Sequence, residues 1–102
     1  MEIFFSEIAK FKFQKLTNYL LENWSLQTKN NFLKKFDLKI IQIKHYPYSC
    51  IESFENKGLY KCVVTKQTTF YYRVLKNQKE IEIEIITIFD TRQNPNKLHR
   101  DL

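Results

Sequence analysis

The sequence predicts an α+β fold: an N-terminal strand and a helical hairpin packed on a C-terminal antiparallel three-stranded meander, in the order β-α-α-β-β-β. Three observations carry this. Apolar residues recur at helical spacing through the first half of the chain, and β-prone runs follow one another closely in the second. Only one glycine, Gly58, and two prolines, Pro47 and Pro95, interrupt the pattern, so the elements are long and special turns few. At 102 residues, 43% of them hydrophobic and 16% aromatic, the chain is sized for one core and too apolar for disorder. A single domain over residues 1–102 is the expectation.

Met1 to Phe5 is a short apolar run suited to a strand. Ser6 then offers a helix N-cap, and Glu7 places a negative charge in the first turn, where the helix dipole favours it. Ala9, Phe13, Leu16, Leu20 and Trp24 follow at spacings of four, three, four and four, a helical stripe. Ser25 can cap a second helix, along which Phe32, Phe36, Ile40 and Ile43 continue the stripe while Leu33 and Ile41 widen it. Pro47 ends that helix, because it disfavours helical geometry in the residue before it. A link this short makes the two helices an antiparallel pair with one shared apolar face. The stripes read as core rather than as a cofactor site.

After a loop, 47-PYSCIESFENKG-58, the β-prone runs are Leu59 to Val64 and Phe70 to Leu75, joined by a turn at Thr65–Thr68 that lacks glycine. Lys76 to Glu80 turns the chain again, into 81-IEIEIITIFD-90. There Ile81, Ile83 and Ile85 alternate with Glu82 and Glu84, after which Ile86 and Ile88 make both faces apolar. The helices should cover one face of the meander. A tail, a loop or another protein should cover the other at Ile86 and Ile88.

The net charge of +6 comes from 17 basic and 11 acidic residues and favours a polyanion or an acidic protein partner. Fourteen of the cations are lysines, which are often only solvated surface; Arg73, Arg92 and Arg100 alone offer the guanidinium fork that clamps phosphate. No apolar run approaches the ~20 residues of a membrane helix. The N-terminus lacks the basic start and small-residue cleavage site of a signal peptide, so a cytoplasmic location with no membrane partner is expected. Cys50 and Cys62 have no CxxC spacing and read as buried thiols. His45 and His99 lie far apart without ligand spacing, which gives no metal site. No cofactor is expected.

In their joint order, 6-SEIAKFKFQKLTNYLLENWS-25, Phe32, Gly58 ahead of the meander, 71-YYRV-74 and 89-FDTRQNP-95 resemble the RelE/ParE superfamily, the toxins of bacterial type II toxin–antitoxin pairs. The resemblance runs from Met1 to about Leu98. It implies a compact toxin neutralised by a small cognate antitoxin, whose flexible and often acidic segment wraps the helices and sheet. Such a partner suits both the positive charge and the expected apolar patch. ParE-like members bind DNA gyrase and trap it on DNA without catalysis of their own. RelE-like members are metal-independent endonucleases that cut messenger RNA in the ribosomal A site. That cleavage asks for a base at the 2′-hydroxyl, cations at the phosphate and an acid at the leaving 5′-oxygen.

The resemblance puts Lys61 where the nucleases have a lysine, and Arg92 near where they have an arginine. Thr68 and Thr69 stand where an arginine is expected, with Arg73 following later, and Leu98 and His99 stand around the place of a tail tyrosine. These departures weigh against the nuclease pattern without marking the ParE-like one, which has no transferable catalytic signature; ParE-like growth inhibition is the first reading. Lys61, Arg73 and Arg92 are the catalytic set of a RelE-like alternative, on a cationic corner that brings Lys61 and Arg92 together beside the apolar strip. Each arginine also has an ordinary partner in view: Asp90 for Arg92, and Glu82 or Glu84 across the sheet for Arg73. A third reading is a non-catalytic single-stranded RNA-binding module that stacks bases on Tyr60, Tyr71 and Tyr72. It is weakened because Tyr71 and Tyr72 should point to opposite faces.

Overall fold

Two serines organise the N-terminal half. The computed structural model describes residues 2–92, beginning with strand β1 (Glu2–Phe5). Ser6 is extended and caps helix α1 (Glu7–Asn23) by accepting the Ala9 N–H at 3.0 Å. Ser25 caps helix α2 (Leu26–His45) in the same way, accepting the Thr28 N–H at 3.0 Å. The second helix stops ahead of Pro47, with Tyr46 already out of helical geometry at ψ 80°. Only Trp24 and Ser25 lie between the helices, so α2 folds back along α1. Phe13 accordingly meets Phe36 and Phe32 with ring centroids 4.9 and 6.2 Å apart.

The remaining elements are strands: β2 (Ile51–Glu52), β3 (Leu59–Val63), β4 (Thr68–Asn77) and β5 (Glu80–Asp90). The expected meander is β3-β4-β5, but it forms part of a larger sheet of five strands in the order β1-β5-β4-β3-β2. The N-terminal strand joins it at one edge, parallel to β5, with Ile3 opposite Ile83 and Phe5 opposite Ile85. At the other edge the predicted loop 47–58 supplies β2, antiparallel to β3 with Ile51 opposite Lys61. Two residues are too few to show an alternation, which is why the sequence reads as loop there.

The β3–β4 turn manages without glycine because Thr65 Oγ1 accepts the N–H groups of Gln67 and Thr68 at 3.2 and 3.0 Å. Lys76 and Asn77 belong to β4 rather than to the next turn, which leaves only Gln78 and Lys79 as the link to β5. Gly58 sits at φ +83°, where a side chain would be strained. Its N–H donates to Glu52 Oε2 at 2.8 Å, joining the start of β3 to β2.

One face of the sheet packs on the helices. Cys62, Phe70, Tyr72, Ile83, Ile85 and Ile88 meet Ala9, Leu16, Leu20, Phe32, Phe36 and Ile43 in a single core. Phe36 stands at its centre, with the rings of Phe5, Phe13, Phe32 and Phe70 at 6.0, 4.9, 5.8 and 5.2 Å. Aromatic pairs of this kind contribute about 0.5–1.5 kcal/mol each beyond their buried area. Trp24 and Ile41, which the helical stripes include, are instead mostly exposed.

The last strand departs from strict alternation. Tyr71 pairs with Thr87 and Tyr72 with Ile85, so Ile86 is an extra residue, a β-bulge. Ile83 and Ile85 face the helices before the bulge, and Ile88 faces them after it. Ile86 and Ile88 therefore do not share a second face. Ile88 is buried in the core and Ile86 is half-buried at the bulge, so these two residues do not make the expected apolar strip on the far face. Ser6 holds the bulge in place: its N–H donates to the Ile85 carbonyl at 2.9 Å and its hydroxyl to the Ile86 carbonyl at 2.6 Å. One residue thus starts α1 and satisfies the carbonyls of the irregular turn in β5.

Candidate functional site

Side chains alternate along a strand, so the register decides which cations meet. On β3, Cys62 faces the helices and Lys61 the far face; on β4, Phe70, Tyr72 and Val74 face the helices and Tyr71 and Arg73 the far face. Lys61 lies opposite Tyr71, and Leu59 opposite Arg73, so Lys61 and Arg73 are diagonal neighbours on one surface. Across β5, Arg73 stands opposite Glu84 in the strand register. Tyr71 is buried between the two cations, and burial pushes its phenol above the usual range. Beside it opens a shallow cleft of about 440 Å³, lined by Ile51, Glu52, Ser53, Phe54, Glu55, Lys61 and Tyr71, so that two carboxylates and one ammonium share it. Phe54 is 99% exposed at its rim.

Arg92 is elsewhere. After the bulge, Asp90 points to the helix side, where it lies opposite Thr68. Arg92 follows it there. Its Nε and Nη2 donate to the two Asp90 carboxylate oxygens at 3.0 and 2.6 Å, and its backbone N–H donates to Asp90 Oδ1 at 2.8 Å. Thr68 completes the network by donating its hydroxyl to Asp90 Oδ2 at 2.5 Å. The guanidinium also rests 5.9 Å from the centre of the Trp24 ring at the junction of the helices. Burial pushes the Asp90 carboxyl up, but the bonds from Arg92 and Thr68 outweigh it and hold it below the usual range. The same bond raises the Arg92 guanidinium.

The structure therefore brings together two of the three predicted residues, Lys61 and Arg73, and sets Arg92 on the opposite face. The cationic corner joining Lys61 to Arg92 is not formed. Arg92 instead clamps the end of β5 to the start of β4. A second cleft of about 230 Å³ lies against it, lined by Thr28, Asn31, Phe32, Lys35 and Gln67. Thr68, which the resemblance marks only as the site of an absent arginine, proves to be the third member of the clamp; no pattern in the sequence announces it. The sequence likewise gave no sign of the Phe54 rim. Gln93, Asn94, Pro95, Leu98, His99 and Arg100, including the position of the tail tyrosine, lie outside the described residues.

Among the described residues no group of three or more His, Cys, Asp or Glu stands together as a metal site, and no helix is long and apolar enough to cross a membrane.

A helical hairpin on one face of a five-stranded mixed sheet defines the class: a small α+β domain. Among solved structures, a YoeB/ParE toxin from Agrobacterium tumefaciens aligns with a TM-score of 0.61, over 88% of this chain and 98% of its own, at 16% sequence identity. No protein-family model matches the sequence, and no curated protein matches it.

Proposed function

We propose that this chain is the toxin of a type II toxin–antitoxin pair, a ParE-like growth inhibitor that acts in the cytoplasm by binding and is neutralised by a small cognate antitoxin. The observation that carries the toxin reading is the fold it shares with the YoeB/ParE toxin over 98% of that chain. The ParE-like mode is supported by the dispersal of the cations. A metal-free nuclease needs several charged groups converging on one phosphate, whereas Arg92 is committed to Asp90, with a longer bond to Thr68, on the face away from Lys61. The target under this reading is DNA gyrase.

Inducing the chain alone should arrest growth, and co-expressing the small protein encoded beside it should restore growth and yield a complex. The purified chain should inhibit supercoiling by gyrase while messenger RNA stays intact. Absence of both arrest and complex would remove the toxin reading.

One observation favours a second reading. Lys61 and Arg73 flank Tyr71 on the far face of the sheet, two cations placed where they could share one phosphate. Under this alternative the chain is a RelE-like ribosome-dependent endonuclease. It would cut messenger RNA on ribosomes, and Lys61→Ala and Arg73→Ala would each abolish the cutting. Salt-sensitive binding to single-stranded RNA without growth arrest would instead identify a simple RNA-binding module.

A further inference from the structure

Cys50 and Cys62 form no motif in the sequence, yet the fold sets them across from each other. Continuing the β2–β3 register, Ile51 opposite Lys61 and Glu52 opposite Tyr60, by one residue places Cys50 opposite Cys62. In the same register Ser53 stands opposite Leu59, and the bond from the Ser53 N–H to the Leu59 carbonyl, 2.7 Å, marks that Ser53–Leu59 position as a hydrogen-bonded one. Pairs alternate along an antiparallel ladder, so Cys50 and Cys62 fall at a non-hydrogen-bonded position, where Cα atoms approach to roughly 4.5 Å. A disulfide spans about 4.4–6.8 Å between Cα atoms. Both residues lie on the helix side: Cys62 is buried in the core and Cys50 packs half-buried against it. The Gln42 amide on α2 reaches Cys50 Sγ at 3.9 Å and Ser49 Oγ at 3.0 Å, which holds the Cys50 segment in position over β3.

We propose that Cys50 and Cys62 are a redox-responsive pair: a peroxide oxidises Cys50, and Cys62 then closes a disulfide that fastens the β2 segment to β3. Half-buried Cys50 is the sulfur a peroxide can reach. Its thiolate attacks one peroxide oxygen, the O–O bond breaks, and hydroxide leaves and takes up a proton as water, so that Cys50 becomes a sulfenic acid. The Cys62 sulfur then attacks the Cys50 sulfur, the S–O bond breaks, and the departing hydroxide takes the Cys62 proton as a second water. The two thiols lose two electrons and two protons in total, and one peroxide is reduced to two waters. Cys62 is closed to the peroxide, being 1% exposed, and burial also pushes its thiol above the usual range; it therefore acts second, on the oxidised Cys50 across the strand pair. The cross-link fixes Ile51 and Glu52, two residues of the far-face cleft, onto β3. This inference is independent of the proposed function.

The test treats the native chain with a slight excess of hydrogen peroxide, blocks free thiols, and digests it with trypsin without reduction. Cleavage after Lys57 and Lys61 separates the peptide 45–57, which carries Cys50, from 62–66, which carries Cys62, unless they are joined. The expected product is the joined pair, lighter by two hydrogens than the sum of its parts and released by a reductant. The oxidised chain should melt roughly 5–10 °C higher than the reduced one. Cys50→Ser should show neither effect, and Cys62→Ala should stop at a Cys50 sulfenic acid that dimedone traps. Over-oxidation of Cys50 with Cys62 still free, disulfides only between separate chains, or no change at either thiol would each overturn the proposal.

Discussion

Arg92→Ala separates an arginine that holds the fold from one that waits for a ligand. The Asp90 side chain is 1% exposed and its carboxylate accepts from Arg92 Nε, Arg92 Nη2, the Arg92 backbone and the Thr68 hydroxyl. Removing one partner of a buried ion pair costs about 3–5 kcal/mol. Two features reduce that here. The Arg92 side chain is 18% exposed, so solvent already screens part of the pair, and the backbone and Thr68 bonds survive the truncation. A loss of about 2–3 kcal/mol is expected near neutral pH, which lowers the melting midpoint of so small a domain by roughly 10–20 °C. The pH dependence has a definite sign. The folded Asp90 carboxyl lies below its ordinary value, so its contribution is present above the unfolded pKa of ~3.9 and is lost as pH falls through the folded one. In the variant the burial penalty is opposed only by the surviving bonds. Protonation then comes at higher pH and relieves the unpaired charge. The gap between wild type and variant should be widest above about pH 5 and should narrow below about pH 4. Circular-dichroism melts across that range, with Asp90→Asn and the double variant, isolate the coupling. A wild-type-like melt for Arg92→Ala at neutral pH would refute the clamp and return Arg92 to the candidate binding groups.

Other substitutions test the remaining supports. Ser6→Ala removes both the α1 cap and the donor to the Ile86 carbonyl, and should cost about 1–2 kcal/mol in denaturant unfolding; hydrogen exchange should speed up around the bulge. Gly58→Ala places a side chain at φ +83° and should cost about 1–2 kcal/mol, although its added carbon would meet only Arg73 Nη1, at 3.6 Å. Lys61→Ala and Arg73→Ala, on the far face, should each leave stability within about 0.5 kcal/mol. If this face meets nucleic acid, each should lower the salt dependence of binding by about one counterion; equal slopes for wild type and both variants would show that the phosphates lie elsewhere.

Much of the fold was legible because its signals are local. Ser6 and Ser25 cap through their own next turn, Pro47 dictates the geometry of Tyr46, and the spacing of Phe13, Phe32 and Phe36 already placed them on one seam. What escaped was pairing between distant segments. Nothing in Glu2–Phe5 states that it will run parallel to Glu82–Ile85, because the partner is chosen by the sheet edge left open after β4 and β5 have paired. Ile51–Glu52 becomes a strand only because β3 offers it an edge and Gly58 bends the chain back to reach it.

The site divides along the same line. Lys61, Tyr71 and Arg73 stand together because the β3–β4 register runs unbroken from Leu59 opposite Arg73 to Val63 opposite Thr69, so counting by twos gives the right face. On β5 the same count fails. Strict alternation would align Asp90 and Arg92 with Glu82 and Glu84, on the face of Lys61 and Arg73. Ile86 inserts one unpaired residue and reverses the parity of everything after it. The run Ile85-Ile86-Thr87-Ile88 is apolar at both even and odd positions, so it accepts either parity; the alternation that would have fixed the register is lost where it is needed. The choice falls to contacts far away in sequence. Ser6 ties the Ile85 and Ile86 carbonyls, and Thr68 receives Asp90 at the strand's end. A one-residue bulge anchored by the cap of the first helix thus decides that Arg92 joins the clamp and not the cations of the far face.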